Sequence, residues 1–130
     1  MKSEIKITLQ FEGFTILPDE LSQQLEIDAT ESWLRGEPSG RTGIKKKDNA
    51  WLLDSGIQPL DGFEKHVTGL FQKIEPHMEK FVEFANECPP VLSCIVRSYD
   101  GDRPYMGFES QMVKKLAQLN ATIDIDLYIL

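Results

Sequence analysis

The sequence predicts an α+β two-layer sandwich: a mostly antiparallel sheet of four or five strands with helices packed on one face. Two observations carry this expectation. Segments near each end of the chain alternate apolar and polar residues with the period of a half-buried strand, and several segments between them repeat apolar residues at helical spacing. Strands and helices that are each dry on one face are satisfied by stacking the helices on one side of the sheet.

In the first strand Ile5, Ile7, Leu9 and Phe11 alternate with Lys6, Thr8, Gln10 and Glu12. After Gly13, Pro18 stands where a helix starts without losing a hydrogen bond, and Asp19 and Glu20 suit its dipole, so a short helix is expected from about Pro18 to Leu25. Residues Ile27 to Trp33 and Asn49 to Asp54 form weaker strand patterns. Between them Gly36 to Asp48, with three glycines, a proline and Arg41, Lys45, Lys46 and Lys47, has the composition of a flexible loop. Phe63, Val67, Leu70, Phe71 and Ile74 recur at helical spacing until Pro76 ends or restarts the helix. Met78, Phe81, Val82 and Ala85 make the dry side of a second piece, closed by Pro89 and Pro90.

Val91 to Arg97 reads as a strand with little polar relief, followed by a turn at Asp100 and Gly101. A helix from near Ser110 then faces Met112, Val113, Leu116 and Leu119 inward. The last residues, ATIDIDLYIL, are the clearest strand of all, with Ile123, Ile125, Leu127 and Ile129 on one side and Asp124, Asp126 and Tyr128 on the other. Both terminal strands are expected near the sheet's interior, where Leu127→Ala would cost about 2–5 kcal/mol. Each half of the chain contains a strand, helix, strand unit, a similarity of organisation rather than of sequence.

A chain of 130 residues is the size of a single domain and needs neither disulfides nor a metal to fold. The alternating N-terminus is unlike a secretory signal, and no apolar run is long enough to span a bilayer, so a cytoplasmic location is expected. Cys88 and Cys94 then read as a reduced pair. The formal charge of −7 repels nucleic acid and anionic membrane and favours a cationic protein as any large partner.

Asp124 and Asp126, two apart on a strand, are held side by side at about 7 Å, next to the Tyr128 phenol. Such a pair can bind a divalent metal or share a proton. It is also the ordinary wet face of an antiparallel strand, and local spacing supplies no third ligand; Asp100 and Asp102 could come near only through the fold. His66 and His77 are eleven apart, outside the spacing of a helical zinc pair, and His66 reads as a helix-surface residue. The segment Gly36 to Thr42 falls short of a phosphate-binding loop, since its glycines are one residue too close and Arg41 replaces the lysine. No serine sits in a nucleophile elbow, and neither cysteine has a histidine placed to activate it. Trp33, Trp51 and Phe108 read as packing residues, and Tyr105 as either packing or contact.

Taken together, these residues resemble an uncharacterised bacterial family, the domain of unknown function numbered 4279. The resemblance spans the chain: Gly13 with Leu17, Pro18, Asp19 and Glu20; Leu25 and Ile27; Gly36; Trp51, Leu53 and Ser55; Pro59 and Leu60 before Glu64 and His66; Leu70 and Pro76; Cys94; Gly107 and Phe108; and Asp124, Asp126 and Tyr128. Departures are Glu26, where members often have glycine, and Glu109 and Ser110 in a turn. The resemblance implies a small cytoplasmic α+β protein, with some relatives regarded as candidate immunity proteins beside secreted toxins. It carries over no catalytic residue.

The expectation for function is therefore a non-enzymatic protein-binding domain, of the immunity type, that meets a basic toxin. Its candidate surface is Asp124, Asp126 and Tyr128, then Tyr105 and Arg41. No cofactor or metal is expected, nor nucleic acid or membrane as a partner. The alternative is a small-molecule- or metal-binding domain, or an enzyme using Asp124 and Asp126 with His66 or Tyr128.

Overall fold

The computed structural model describes residues 2–130. In chain order the elements are β1 (Glu4–Glu12), α1 (Pro18–Leu25), β2 (Glu31–Trp33), β3 (Ala50–Asp54), α2 (Phe63–Ile74), a 3-10 turn (Glu75–His77), α3 (Met78–Ala85), β4 (Val91–Ser98), α4 (Ser110–Gln118) and β5 (Thr122–Ile129). The strands form one five-stranded sheet in the order β2-β3-β1-β4-β5. Three pairings are antiparallel and β4 with β5 is parallel.

β1 is the middle strand because its odd-numbered side chains, Ile5, Ile7, Leu9 and Phe11, are all buried against the helices. Their neighbours across the ladders are Leu53 and Trp51 of β3 and Val96, Cys94 and Leu92 of β4, also buried. Leu21 and Leu25 of α1, Val67, Leu70, Phe71 and Ile74 of α2, Phe81 and Phe84 of α3 and Leu116 of α4 close over them in one continuous core. Pro76 lies in the 3-10 turn that carries the chain from α2 to α3 without a loop. The expected two-layer α+β architecture is thus the observed one.

α1 starts after Leu17, whose backbone is extended (φ −70°, ψ 145°), with Pro18 in its first turn. It ends at Glu26, whose φ of 61° and ψ of 29° are left-handed. A Cβ makes that conformation costly, which is why helices commonly end on glycine. The Glu26 side chain is exposed, so little is lost with it. Glu26→Gly is expected to raise stability by about 0.5–1 kcal/mol, seen as a higher midpoint in thermal unfolding.

β2 is shorter than expected. Only Glu31–Trp33 pair with β3, and the preceding residues wrap the end of α1, where the Ile27 N–H donates to Ser22 O at 3.3 Å. The glycine-rich segment is a small hairpin rather than an unstructured loop. Gly36 N–H donates to Lys46 O, Lys46 N–H to Glu37 O and Ser39 N–H to Ile44 O, all within 2.9 Å. Lys46 lies 4.1 Å from the centre of the half-buried Trp33 ring.

The C-terminal strand departs most from expectation. β5 is an edge strand, not an interior one, and every residue in it is exposed. It returns to the sheet through α4, a crossover that makes it parallel to β4, and β1 already occupies the other side of β4. Leu116 of α4 and Leu119 just after it point into the core, whereas Val113 is half exposed and the helix leaves β5 uncovered. The two strand, helix, strand units consequently differ: β4 and β5 are adjacent, but β3 lies between β1 and β2.

Candidate functional site

The outer sheet face, opposite the helices, carries the even-numbered side chains of β1 and their cross-strand neighbours. Thr8 donates to Asp54 at 2.8 Å, Lys6 lies 3.9 Å from the same carboxylate, and Ile95, paired with Lys6, is half-buried. Asp124, Asp126 and Tyr128 are displayed on this face at its edge, opposite Ser93, Ile95 and Arg97 of β4. The Tyr128 hydroxyl donates to Asp126 Oδ2 at 2.8 Å, and the Arg97 guanidinium lies 5.6 Å from its ring centre. That hydrogen bond, and the carboxylate's negative charge, hold the phenol above its ordinary pKa.

The reverse side of β5 is not dry. Ile123 is 41% exposed, Ile125 47%, Leu127 45% and Ile129 79%. Leu127→Ala is therefore expected to cost at most about 1 kcal/mol by chemical denaturation, not the 2–5 kcal/mol of a buried site, because little apolar area leaves the protein and no cavity forms.

The fold separates the other candidates from this strand. Arg41 is at the exposed tip of the hairpin between β2 and β3, at the opposite edge of the sheet; four inter-strand steps place those edges about 19 Å apart. Tyr105 is 63% exposed in the connection between β4 and α4. It borders a hollow of about 400 Å³ with Leu60, Gly62, Phe63, Glu64 and Asp102. Its phenol packs so closely over Gly107 that a Cβ there would collide with it, and the next residue, Phe108, packs edge-on against Phe63 at 5.4 Å. Asp102 accepts from the Ser3 N–H at 3.0 Å and the Ser3 hydroxyl at 2.7 Å, which lower its pKa. Asp102 thus ties this connection to the start of β1. Among the described residues no group of three or more His, Cys, Asp or Glu is placed to hold a metal ion.

His66 is not on a helix surface. It is 1% exposed, its Nε2 lies 2.9 Å from Gln58 O and its Nδ1 lies 2.9 Å from Ser55 Oγ. A carbonyl only accepts, so Nε2 carries the proton and Nδ1 accepts from the Ser55 hydroxyl. Burial lowers the His66 pKa against the opposing effect of the Gln58 carbonyl. This serine–histidine pair borders a hollow of about 260 Å³ that also meets Lys6, Asp54 and Arg97. Ser55 Oγ also accepts the Ile57 N–H at 3.2 Å, so the pair pins the loop after β3 to α2. Sequence reasoning missed it because the two residues are eleven apart on different elements. The single available signal was a histidine on the apolar stripe of α2, at i+3 from Phe63 and i−4 from Leu70.

Both cysteines are free thiols. Burial, with Asp124 adding to it, pushes Cys94 up to about 12, and burial also raises Cys88, so neither is poised as a thiolate nucleophile. No helix of the described residues is long and apolar enough to cross a membrane.

These features define a class: an α+β protein with its helices on one face of an open sheet, and an exposed, acid-faced edge strand. Residues 3–130 match the family model described as Domain of unknown function (DUF4279), and the chain belongs to that family. No curated protein and no solved structure gives a significant match.

Proposed function

We propose that the protein is a non-enzymatic protein-binding domain of the immunity type, which occupies a basic toxin through its acidic surface. The observation that carries this reading is β5, an eight-residue strand exposed along its whole length and presenting Asp124, Asp126 and Tyr128 outward. The net charge of −7 supports it, since such a field steers a cationic partner toward the protein.

The test is affinity capture from the native organism with the products of neighbouring genes as bait and prey. The expected result is a stable partner whose toxicity this protein relieves, and whose capture is lost in the double variant Asp124→Lys, Asp126→Lys. Association is expected to slow about tenfold or more as ionic strength rises from about 0.05 to about 0.5 M. Recovery of no protein, together with a bound small molecule, would replace this reading with that of a ligand-binding or catalytic domain. Calorimetric titration with magnesium, manganese, calcium and zinc tests the metal form of that alternative. Saturable heat lost in Asp124→Asn and Asp126→Asn would establish it.

A further inference from the structure

We propose that the free edge of β5 is a strand-addition site, which takes from a basic protein partner an extended segment alternating basic and apolar residues. This rests on the protein-binding reading above and specifies how the same strand engages its partner.

The backbone provides the first ground. At the two ends of β5, the Thr122 N–H donates to Pro90 O at 3.0 Å and the Leu130 N–H to Ser98 O at 2.8 Å. The register between them is continuous, from Val91 with Thr122 to Ser98 with Ile129. Alternate residues of a strand direct their N–H and C=O to the same side, so the even-numbered residues are committed to β4. The N–H and C=O groups of Ile123, Ile125, Leu127 and Ile129 point away from the sheet, and no described strand lies beyond them. Natural proteins usually blunt such an edge by keeping it short or by placing proline, a bulge or charged side chains, lysine above all, on it. The opposite edge follows that practice, because β2 has three residues. β5 has eight, with no proline or glycine, and its only charges are Asp124 and Asp126, which oppose a like or neutral strand but not a basic one.

The side chains provide the second ground. An added strand would meet apolar residues on the helix side, Ile123, Ile125 and Leu127, and carboxylates on the other. Beside the end of the apolar row lies a hollow of about 380 Å³ bordered by Pro104, Met106, Leu127 and Ile129, large enough for an apolar side chain of the incoming segment.

Charge selects the occupant. In an antiparallel pair of two copies, a two-fold axis through Ile125 sets Asp124 opposite Asp126 twice. An axis through Asp124 or Asp126 sets that carboxylate opposite itself, and an axis through Ile123 or Leu127, which avoids both clashes, pairs only part of the strand. Like charges directly opposite are destabilising, and each copy carries −7. A strand with lysine or arginine at alternate positions meets the same carboxylates favourably and leaves its apolar positions for the isoleucine row.

Residue-resolved amide exchange and calorimetry on the full chain test this. The probes are blocked peptides of about eight residues, the length of an ordinary strand. One alternates lysine with valine, one has the same composition with lysines and valines segregated, and one alternates glutamate with valine. The alternating lysine peptide is expected to bind at least about tenfold more tightly than the other two and to slow exchange of the Ile123, Ile125 and Leu127 amides. Ile125→Pro, which removes an outward N–H without touching the β4 ladder, is expected to abolish that preference, while Ile125→Thr retains it. Equal binding of the two lysine peptides without amide protection would overturn strand addition and leave the acidic-surface reading standing. Preference for the glutamate peptide, absence of binding to all three, or a dimer of the free protein with these amides already protected would also overturn the proposal. The toxin-capture experiment decides the protein-binding reading separately.

Discussion

Phe11→Ala is expected to destabilise the protein by about 3–5 kcal/mol, the usual cost of emptying an aromatic site in a packed core. Phe11 is fully buried in the middle strand and packs edge-on against Phe84, with ring centres 5.1 Å apart. Trp51 and Phe81 lie 6.0 and 6.1 Å from it and 5.9 Å from each other. Removing Phe11 therefore withdraws support from both helices and sheet at one point, and these rings cannot collapse inward without breaking their contacts with one another. A domain of this kind has about 5–15 kcal/mol in total, so the variant should lose a large share of its stability. Chemical denaturation followed by tryptophan fluorescence, with Trp33→Phe as background to isolate Trp51, measures it, and a loss below about 1 kcal/mol would contradict the packing described.

His66→Ala is expected to cost about 2–4 kcal/mol, from the cavity left by a buried ring and from the buried Ser55 hydroxyl losing its acceptor. The same residue imposes a pH dependence. Its pKa is lowered in the folded protein from an ordinary value of 6.5, mainly by burial. Below that value the unfolded chain takes up a proton that the folded protein resists, so stability rises with pH. The His66 contribution is fully present above about pH 6.5 and is lost as pH falls toward and through the folded value. Thermal midpoints measured between about pH 7.5 and pH 5.5 should decline in the wild type. In His66→Gln, which does not titrate, that part of the decline should vanish. A slope identical in the two proteins would mean that His66 is not held neutral by its surroundings.

α1 was legible to the residue because Pro18, Asp19 and Glu20 act within one helical turn, and so were α2 and its continuation through Pro76. β1 was likewise readable from its own residues, since an apolar strand face repeats every second position whatever the neighbours are, while β3 and β4 were readable as short apolar runs, a weaker signal than alternation. The Ser55–His66 pair was not, because it joins two elements that only the folded chain brings within 2.9 Å. Nor was the separation of Arg41, Tyr105 and Asp124, which depends on strand order.

β5 marks the boundary between the two kinds of information. Its alternation of isoleucine and leucine with aspartate and tyrosine establishes a strand and assigns each side chain to a face, and both hold in the structure. Alternation is a property of the local chain, however, and records nothing of what lies against either face. Burial of that face required a helix over β5 and a neighbour beyond it. The crossover through α4 instead brought the strand to the outside of β4 with its apolar row half exposed and one row of backbone groups facing out. The sequence alone thus determined the elements, the core residues of β1 and the acidic face. Tertiary structure decided that this face belongs to an open edge, because strand order and helix placement are set by long-range packing that no local period encodes.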